Sequence, residues 1–187
     1  MACGLEQQNL KPTNISVSRR EGWVPPSNDV IKINSDGAFS SSRSNAAFGV
    51  IAKDSRGDVL WWCSGRVVAP STLAIEAWAL RIACFAARDQ GIVEAVLKSV
   101  CRELVDRIKE ATKAVSWEIY ATVMDIKSLA ANRRWSFVWN SRNCNKAAHW
   151  LATRCLAKSP VLIPGCIPPD LSSIIVKDVP AQQRNTI

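Results

Sequence analysis

Three strand-like segments follow one another early in the chain, with only short turns between them. They cover residues 31–39, 46–53 and 59–68, and each is rich in apolar and β-branched residues. The turn between the last two is Asp-Ser-Arg-Gly-Asp at 54–58, a strong hairpin signal. Strands joined by so few residues must pair antiparallel, because a parallel connection needs a crossover of roughly a dozen residues or more. The sequence therefore predicts an antiparallel three-stranded meander.

The following residues alternate between helical and strand patterns. A helix is predicted from Pro70-Ser71 to Gln90-Gly91. After it come a strand at 92–97, helices at 101–110 and 118–131, a strand at 135–139 and a closing helix at 143–157. A strand–helix–strand passage favours parallel pairing. We therefore predict an α/β fold with a single mixed five-stranded sheet, three antiparallel strands and then two parallel ones, flanked by helices.

The composition predicts one folded domain with a tail on each side. Residues 1–22 are polar and aperiodic and predict a flexible leader, residues 23–158 form the predicted domain, and residues 159–187 form a proline-rich C-terminal tail. The 7 cysteines include no Cys-x-x-Cys pair, which favours a reducing compartment. No apolar stretch is long enough for a membrane span, so we expect an intracellular protein, cytoplasmic or nuclear. We also expect a monomer.

Positive charge is concentrated in one part of the chain. The net charge is +8, and residues 101–158 carry 11 Lys and Arg against 5 acidic residues. A basic excess confined to one region favours a polyanionic partner such as nucleic acid. The candidate nucleic-acid contacts are Arg133, Arg134, Arg142 and Lys146.

Two acidic residues lie where a divalent metal site would need them. Asp36 lies near the end of the first strand, and Glu76 lies on the apolar stripe of the first helix, between Leu73 and Leu80. A carboxylate facing a sheet is costly unless it is paired or binds a metal. Two other interpretations stay open: Asp36 bonds its own backbone in a turn, and Glu76 reaches solvent or pairs with a basic side chain.

His149 is the single histidine of the chain. This count argues against a multi-histidine metal site. The residue is either a helix-surface histidine or part of a site with Arg142 and Lys146 nearby. Many of the 8 tryptophans fall at strand and helix positions, where packing is the more common role, although they could also stack on bases.

Four passages in order carry a resemblance to a known family: residues 31–38 (IKINSDGA), 49–57 (GVIAKDSRG), 75–80 (IEAWAL) and 145–152 (NKAAHWLA). The chain resembles the plant ribonuclease-H-like proteins, which are related to the ribonuclease H domain of non-LTR retrotransposon reverse transcriptases. The resemblance extends over about residues 23–169. It implies a ribonuclease-H-like fold and type-1 ribonuclease H chemistry, the hydrolysis of the RNA strand of an RNA–DNA hybrid.

The resemblance also implies a site in which four carboxylates hold two Mg²⁺ or Mn²⁺ ions. Asp36 matches the first-strand acid that bridges the metals, and Glu76 matches the helix acid. Val100 stands at the position of the third acid, and His149 at that of the fourth. Valine offers no ligand, and imidazole suits softer ions than Mg²⁺. We therefore expect metal binding, and with it hydrolysis, to be weak or absent.

Three functional hypotheses follow. The leading one is a nucleic-acid-binding domain for RNA–DNA hybrid or double-stranded RNA, with RNA-strand hydrolysis weakened or lost. The second is an active metal-dependent hybrid ribonuclease that uses Asp36, Glu76 and His149. The third is a retroelement-derived protein-interaction module with no nucleic-acid role.

Overall fold

The computed structural model describes residue 26 and residues 30–41, 45–110, 114–157 and 167–178. The predicted leader, residues 1–22, lies outside the described residues, as does much of the predicted tail. No helix in these ranges is long and apolar enough to cross a membrane.

The predicted mixed five-stranded sheet is confirmed. Its strands are β1 (Ile31–Ser40), β2 (Asn45–Lys53), β3 (Val59–Val68), β4 (Glu94–Ser99) and β5 (Arg134–Trp139). Their order across the sheet is β3-β2-β1-β4-β5. The pairs of β1 with β2 and of β2 with β3 are antiparallel, whereas β4 pairs in parallel with both β1 and β5. Because β1, β4 and β5 run in the same direction, their carboxyl ends lie at one edge of the sheet.

Five α-helices complete the described fold: α1 (Thr72–Asp89), α2 (Arg102–Lys109), α3 (Trp117–Ala130), α4 (Lys146–Ala157) and α5 (Pro169–Asp178). A 3₁₀ turn, Arg142–Cys144, precedes α4. The start of α1 is set by Ser71, whose hydroxyl accepts a hydrogen bond from the backbone N–H of Ala74 at 3.1 Å. This side chain satisfies one of the N–H groups that the first turn of a helix leaves without a partner.

The helices cover the two faces of the sheet. On one face, Ile33 and Leu97 of the central strands pack against α1, α2 and α3 in the main apolar core. On the other face, Ile51 of β2 packs against Ala148 and Leu151 of α4. The alternation of inward-facing residues along each strand therefore supplies two apolar layers, one for each set of helices.

Strand β2 and helix α4 approach one another closely at Gly49. A Cβ atom at this position would lie 2.4 Å from the carbonyl oxygen of Ala148 and 2.6 Å from the backbone nitrogen of Ala152. Only glycine leaves room for this contact. Across the sheet, Gly49 is paired with Asp36 of β1, so the close approach lies beside the candidate acid.

Three details differ from the sequence-based prediction. The closing helix begins at Lys146 and not at residue 143, because a separate 3₁₀ turn, Arg142–Cys144, precedes it. The fourth strand begins at Glu94 and not at residue 92, because the backbone N–H of Ile92 donates to the carbonyl of Ala87 and is held at the end of α1. Helix α5 is not predicted by the pattern of the proline-rich segment. Its Leu171 is fully buried in the same cluster as Ile51 and Leu151, so this part of the predicted tail packs on α4.

Candidate active site

Asp36 and His149 form the centre of the candidate site. The Asp36 side chain is almost fully buried on β1, and its Oδ2 lies 2.9 Å from Nδ1 of His149 on α4. The imidazole is half-exposed, at 48%. His149 is thus neither a detached surface residue nor a core residue. It covers the predicted metal-bridging carboxylate from the solvent side.

Asn145 connects the same elements and was not predicted as a site residue. Its Nδ2 lies 3.3 Å from Oδ1 of Asp36 and donates to the carbonyl of Ser35 at 3.0 Å, while its Oδ1 accepts from Nδ2 of Asn34 at 2.7 Å. No local pattern in the sequence marks this role, because Ser35 and Asp36 lie about 110 positions earlier in the chain.

Glu76 lies next to this pair, on the first helix. The residue is 3% exposed, its carboxylate accepts a hydrogen bond from the backbone N–H of Gly37, and Ser99 lies nearby. The other oxygen of Glu76, Oε2, has no hydrogen-bond partner among the described residues. Arg81, a basic residue further along the same helix, forms an ion pair with Asp125 at 2.8 Å.

Burial dominates the electrostatics of both acids. Burial and, after it, the charge of the neighbouring Asp36 raise the pKa of Glu76 to about 8. The hydrogen bond from Gly37, the charge of Arg142 and the nearby Ser99 oppose this rise only in part. Burial also raises the pKa of Asp36, against the opposing effects of His149, Asn145 and Arg142. The structure therefore brings Asp36 and Glu76 close enough to repel each other.

The raised pKa of Glu76 predicts a stability that falls with rising pH. Between about pH 4.5 and about 8 the unfolded chain has released this proton while the folded chain still holds it, so the free energy of unfolding decreases across that window. Glu76→Gln keeps the shape without the ionisation. In urea titrations with EDTA from pH 5 to 9, we expect the free energy of unfolding of the variant to decrease much less than that of wild type. Parallel curves for the two proteins would contradict this assignment.

Val100 follows β4 directly and brings no ligand to the carboxyl edge of the sheet. Its backbone carbonyl accepts a hydrogen bond from Nε1 of Trp139 at 3.0 Å. The nearest acid along α2, Glu103, is exposed and lies 3.5 Å from Arg107. Among the described residues, no three His, Cys, Asp or Glu side chains form a group that could hold a metal ion.

The four predicted basic contacts divide into two pairs. Arg142 lies in the 3₁₀ turn just before α4, and its charge lowers the pKa of both acids. Lys146 is exposed in the first turn of the same helix. Arg133 and Arg134 instead lie at the start of β5, the end of that strand away from the acids, where Arg134 pairs with Glu94 at 2.8 Å. The structure therefore places Arg142 beside the acids and Lys146 on the exposed turn that follows it.

Comparison with known families gives one match that covers more than half of the chain. Residues 34–155 match the family model described as reverse transcriptase-like. The matched range includes every candidate site residue discussed above. None of the curated proteins matches the chain significantly.

Several solved structures share the fold. The N-terminal ribonuclease H domain of a Mycobacterium tuberculosis protein has a TM-score of 0.63 and 19% identity, over 67% of this chain and 92% of that one. Ribonuclease H1 from Halobacterium salinarum has a TM-score of 0.63 and 20% identity, over 67% and 96%. The compost-derived LC11 ribonuclease H1, in complex with an RNA/DNA hybrid, has a TM-score of 0.62 and 20% identity, over 67% and 96%.

Proposed function

The chain belongs to the reverse transcriptase-like family of ribonuclease-H-type domains, and on that premise we propose that it binds RNA–DNA hybrid or double-stranded RNA and cleaves the RNA strand weakly or not at all. The binding half of the proposal is supported by the basic excess of the chain, by Arg142 beside the acids and by Lys146 on the exposed turn that follows it. A neighbour of the same fold, LC11 ribonuclease H1, carries a hybrid in its structure.

The hydrogen bond between Asp36 and His149 carries the second half of the proposal. Ribonuclease-H-type domains generally use divalent metal ions, and Mg²⁺ prefers an octahedral shell of oxygen ligands. Here Oδ2 of Asp36 lies 2.9 Å from the imidazole, and Oδ1 lies 3.3 Å from the Asn145 amide. Both oxygens of the expected bridging ligand are therefore engaged by protein groups.

The remaining positions offer Mg²⁺ little compensation. Glu76 is buried and its pKa is raised to about 8, so a cation that binds there must first displace a proton. Val100 has no donor atom in its side chain, and the exposed Glu103 is oriented toward Arg107. These residues do not fit a pair of magnesium ions, and this misfit supports a domain that binds nucleic acid without efficient hydrolysis.

An active hybrid ribonuclease is the second candidate. The observation that favours it is that Glu76 of α1 and His149 of α4 each lie beside Asp36 of β1. The half-exposed imidazole could accept a softer ion than Mg²⁺. Binding and cleavage must therefore be measured separately.

The binding test is a titration of a short RNA–DNA hybrid at several salt concentrations. We expect a dissociation constant near the micromolar range or below at low salt, with affinity falling steeply as salt rises because phosphate contacts release counterions. A double substitution, Arg142→Gln with Lys146→Gln, should reduce both the affinity and the salt slope. The matched control is Arg133→Gln with Arg134→Gln, at the amino end of β5 and away from the acids. If wild type shows no binding near micromolar concentrations, the protein-interaction hypothesis is favoured.

The cleavage test compares wild type with Asp36→Asn in Mg²⁺, in Mn²⁺ and in EDTA, on the same labelled hybrid. We expect equal and near-background rates from the two proteins in all three conditions. A wild-type rate more than about tenfold above that of the variant, in either metal, would establish the second candidate instead.

A further inference from the structure

An exposed tryptophan lies at the carboxyl edge of the sheet, next to the candidate site, and the catalytic interpretation leaves it without a role. Trp139 is the last residue of β5 and is 39% exposed. The guanidinium of Arg102, the exposed first residue of α2, lies over its ring at 4.1 Å from the centroid. We propose that Trp139 and Arg102 form a binding site for a single unpaired nucleobase and its phosphate, which holds a bound strand beside the acids.

The position of Trp139 relative to the acids follows from the sheet register. Trp139 is the strand partner of Ser99, and Ser99 lies near enough to Glu76 to act on its carboxylate. One rung of the sheet therefore separates the indole from a residue beside the acid. A strand held on this ring passes along the edge where Asp36 and Glu76 converge.

The indole is held in one orientation before any ligand arrives. Its Nε1 donates to the carbonyl of Val100 at 3.0 Å, and the Arg102 guanidinium packs over the ring. An aromatic ring that is already fixed loses little freedom on binding, which favours stacking. Because the acceptor is the backbone carbonyl of Val100, the hydrogen bond does not depend on which side chain stands at this position.

The chemistry of the surroundings favours a nucleotide. Bases of every type stack on an aromatic face, and a neighbouring guanidinium can contact the phosphate of the same nucleotide. Along the same edge, Arg142 adds positive charge, and valine stands at residue 100 where the family resemblance expects an acid. Glu103 is the acid next to Arg102, and Arg107 lies 3.5 Å from it.

The ligand on this ring is an unpaired base, because a base inside a duplex already has neighbours stacked on both of its faces. The site thus deepens the proposed function and rests on it. It predicts that the protein prefers a hybrid with a single-stranded RNA extension, or with a bulge, over a blunt hybrid of equal length.

The test measures binding to a hybrid that carries a short RNA extension, by fluorescence anisotropy at fixed salt. We expect Trp139→Ala to weaken binding about tenfold, Trp139→Phe to restore most of the loss, and Arg102→Gln to weaken binding severalfold. The matched control pair is Trp135 with Arg133, since this ring also packs under a guanidinium, at 5.1 Å, and donates its Nε1 to a backbone carbonyl, that of Ile92. Trp135→Phe and Arg133→Gln should change the affinity less than twofold.

A second measurement begins with wild type alone, so that its first result does not depend on the folding of any variant. Abasic sites are placed one at a time along the extension of the probe, and binding to wild type is measured. We expect an abasic site at one position to weaken binding to wild type about tenfold. The same abasic site should not weaken binding to Trp139→Ala any further. If wild type binds the hybrid with a steep salt slope but no abasic position matters, the base site is wrong and the proposed function stands. If wild type does not bind, the proposed function itself fails.

Discussion

The double substitution Val100→Asp with His149→Asp is expected to convert this domain into a Mg²⁺-dependent hybrid ribonuclease. It supplies carboxylates at the two positions where the family resemblance expects them and removes the imidazole 2.9 Å from Oδ2 of Asp36. We expect the rate of RNA-strand cleavage in Mg²⁺ to rise by about two orders of magnitude or more over wild type. The hydrogen bond from Trp139 ends on the backbone of Val100 and should survive the change.

The control for this experiment is the same double variant with Asp36→Asn added, which should return the rate to background. A second readout is thermal unfolding. Four neighbouring carboxylates repel one another, so the double variant should be less stable than wild type in EDTA and should gain several degrees in Mg²⁺, whereas wild type should not. A folded double variant that binds hybrid, gains no stability in Mg²⁺ and stays inert would show that these two positions are wrongly assigned.

The largest effect on stability is expected from Gly49→Ala. The added methyl group would meet backbone atoms of α4, the Ala148 oxygen at 2.4 Å and the Ala152 nitrogen at 2.6 Å. Backbone atoms cannot move aside as a flexible side chain can, so the whole helix must shift away from β2. We expect the free energy of unfolding to fall by about 3 kcal/mol or more in urea titrations. Hybrid affinity should fall as well, because Lys146 lies in the first turn of α4 and Arg142 in the 3₁₀ turn before it.

Gly65→Ala is the matched control. Gly65 lies on β3 opposite Phe48, and a Cβ there would meet only the outer atoms of the Phe48 ring, at 2.7 Å. A ring can rotate or tilt where a helix backbone cannot, so this variant should lose clearly less stability than Gly49→Ala. If both variants lose the same free energy of unfolding, the loss comes from replacing a glycine in the sheet and not from the contact between β2 and α4.

The fold was largely predictable because short-range rules determine most of it. The turn at 54–58 enforces antiparallel pairing, and helical spacing from Leu73 to Ala87 marks α1 with little ambiguity. Helix α5 was missed because prolines dominate the segment before it, and its reason to form is the burial of Leu171 against α4. Such a contact between distant elements leaves no local pattern in the sequence.

The candidate site was predictable only in part. Asp36 and Glu76 stood out because an acid at a buried position needs an explanation, and the structure brings them together. The role of Asn145 depends on hydrogen bonds to residues about 110 positions earlier in the chain. Trp139 likewise became informative only once the register placed it opposite Ser99. Pairings of this kind follow from topology and not from spacing.

The packing of α5 has a consequence for how the domain is delimited. Leu171 packs in the same apolar cluster as Leu151 of α4. This helix carries His149 and begins directly after Asn145. A protein truncated near residue 158, the predicted end of the domain, keeps all the polar groups of the site. It loses α5, which packs against the helix that carries His149. Binding and cleavage measured on a protein that lacks α5 therefore do not represent those of the chain that includes it.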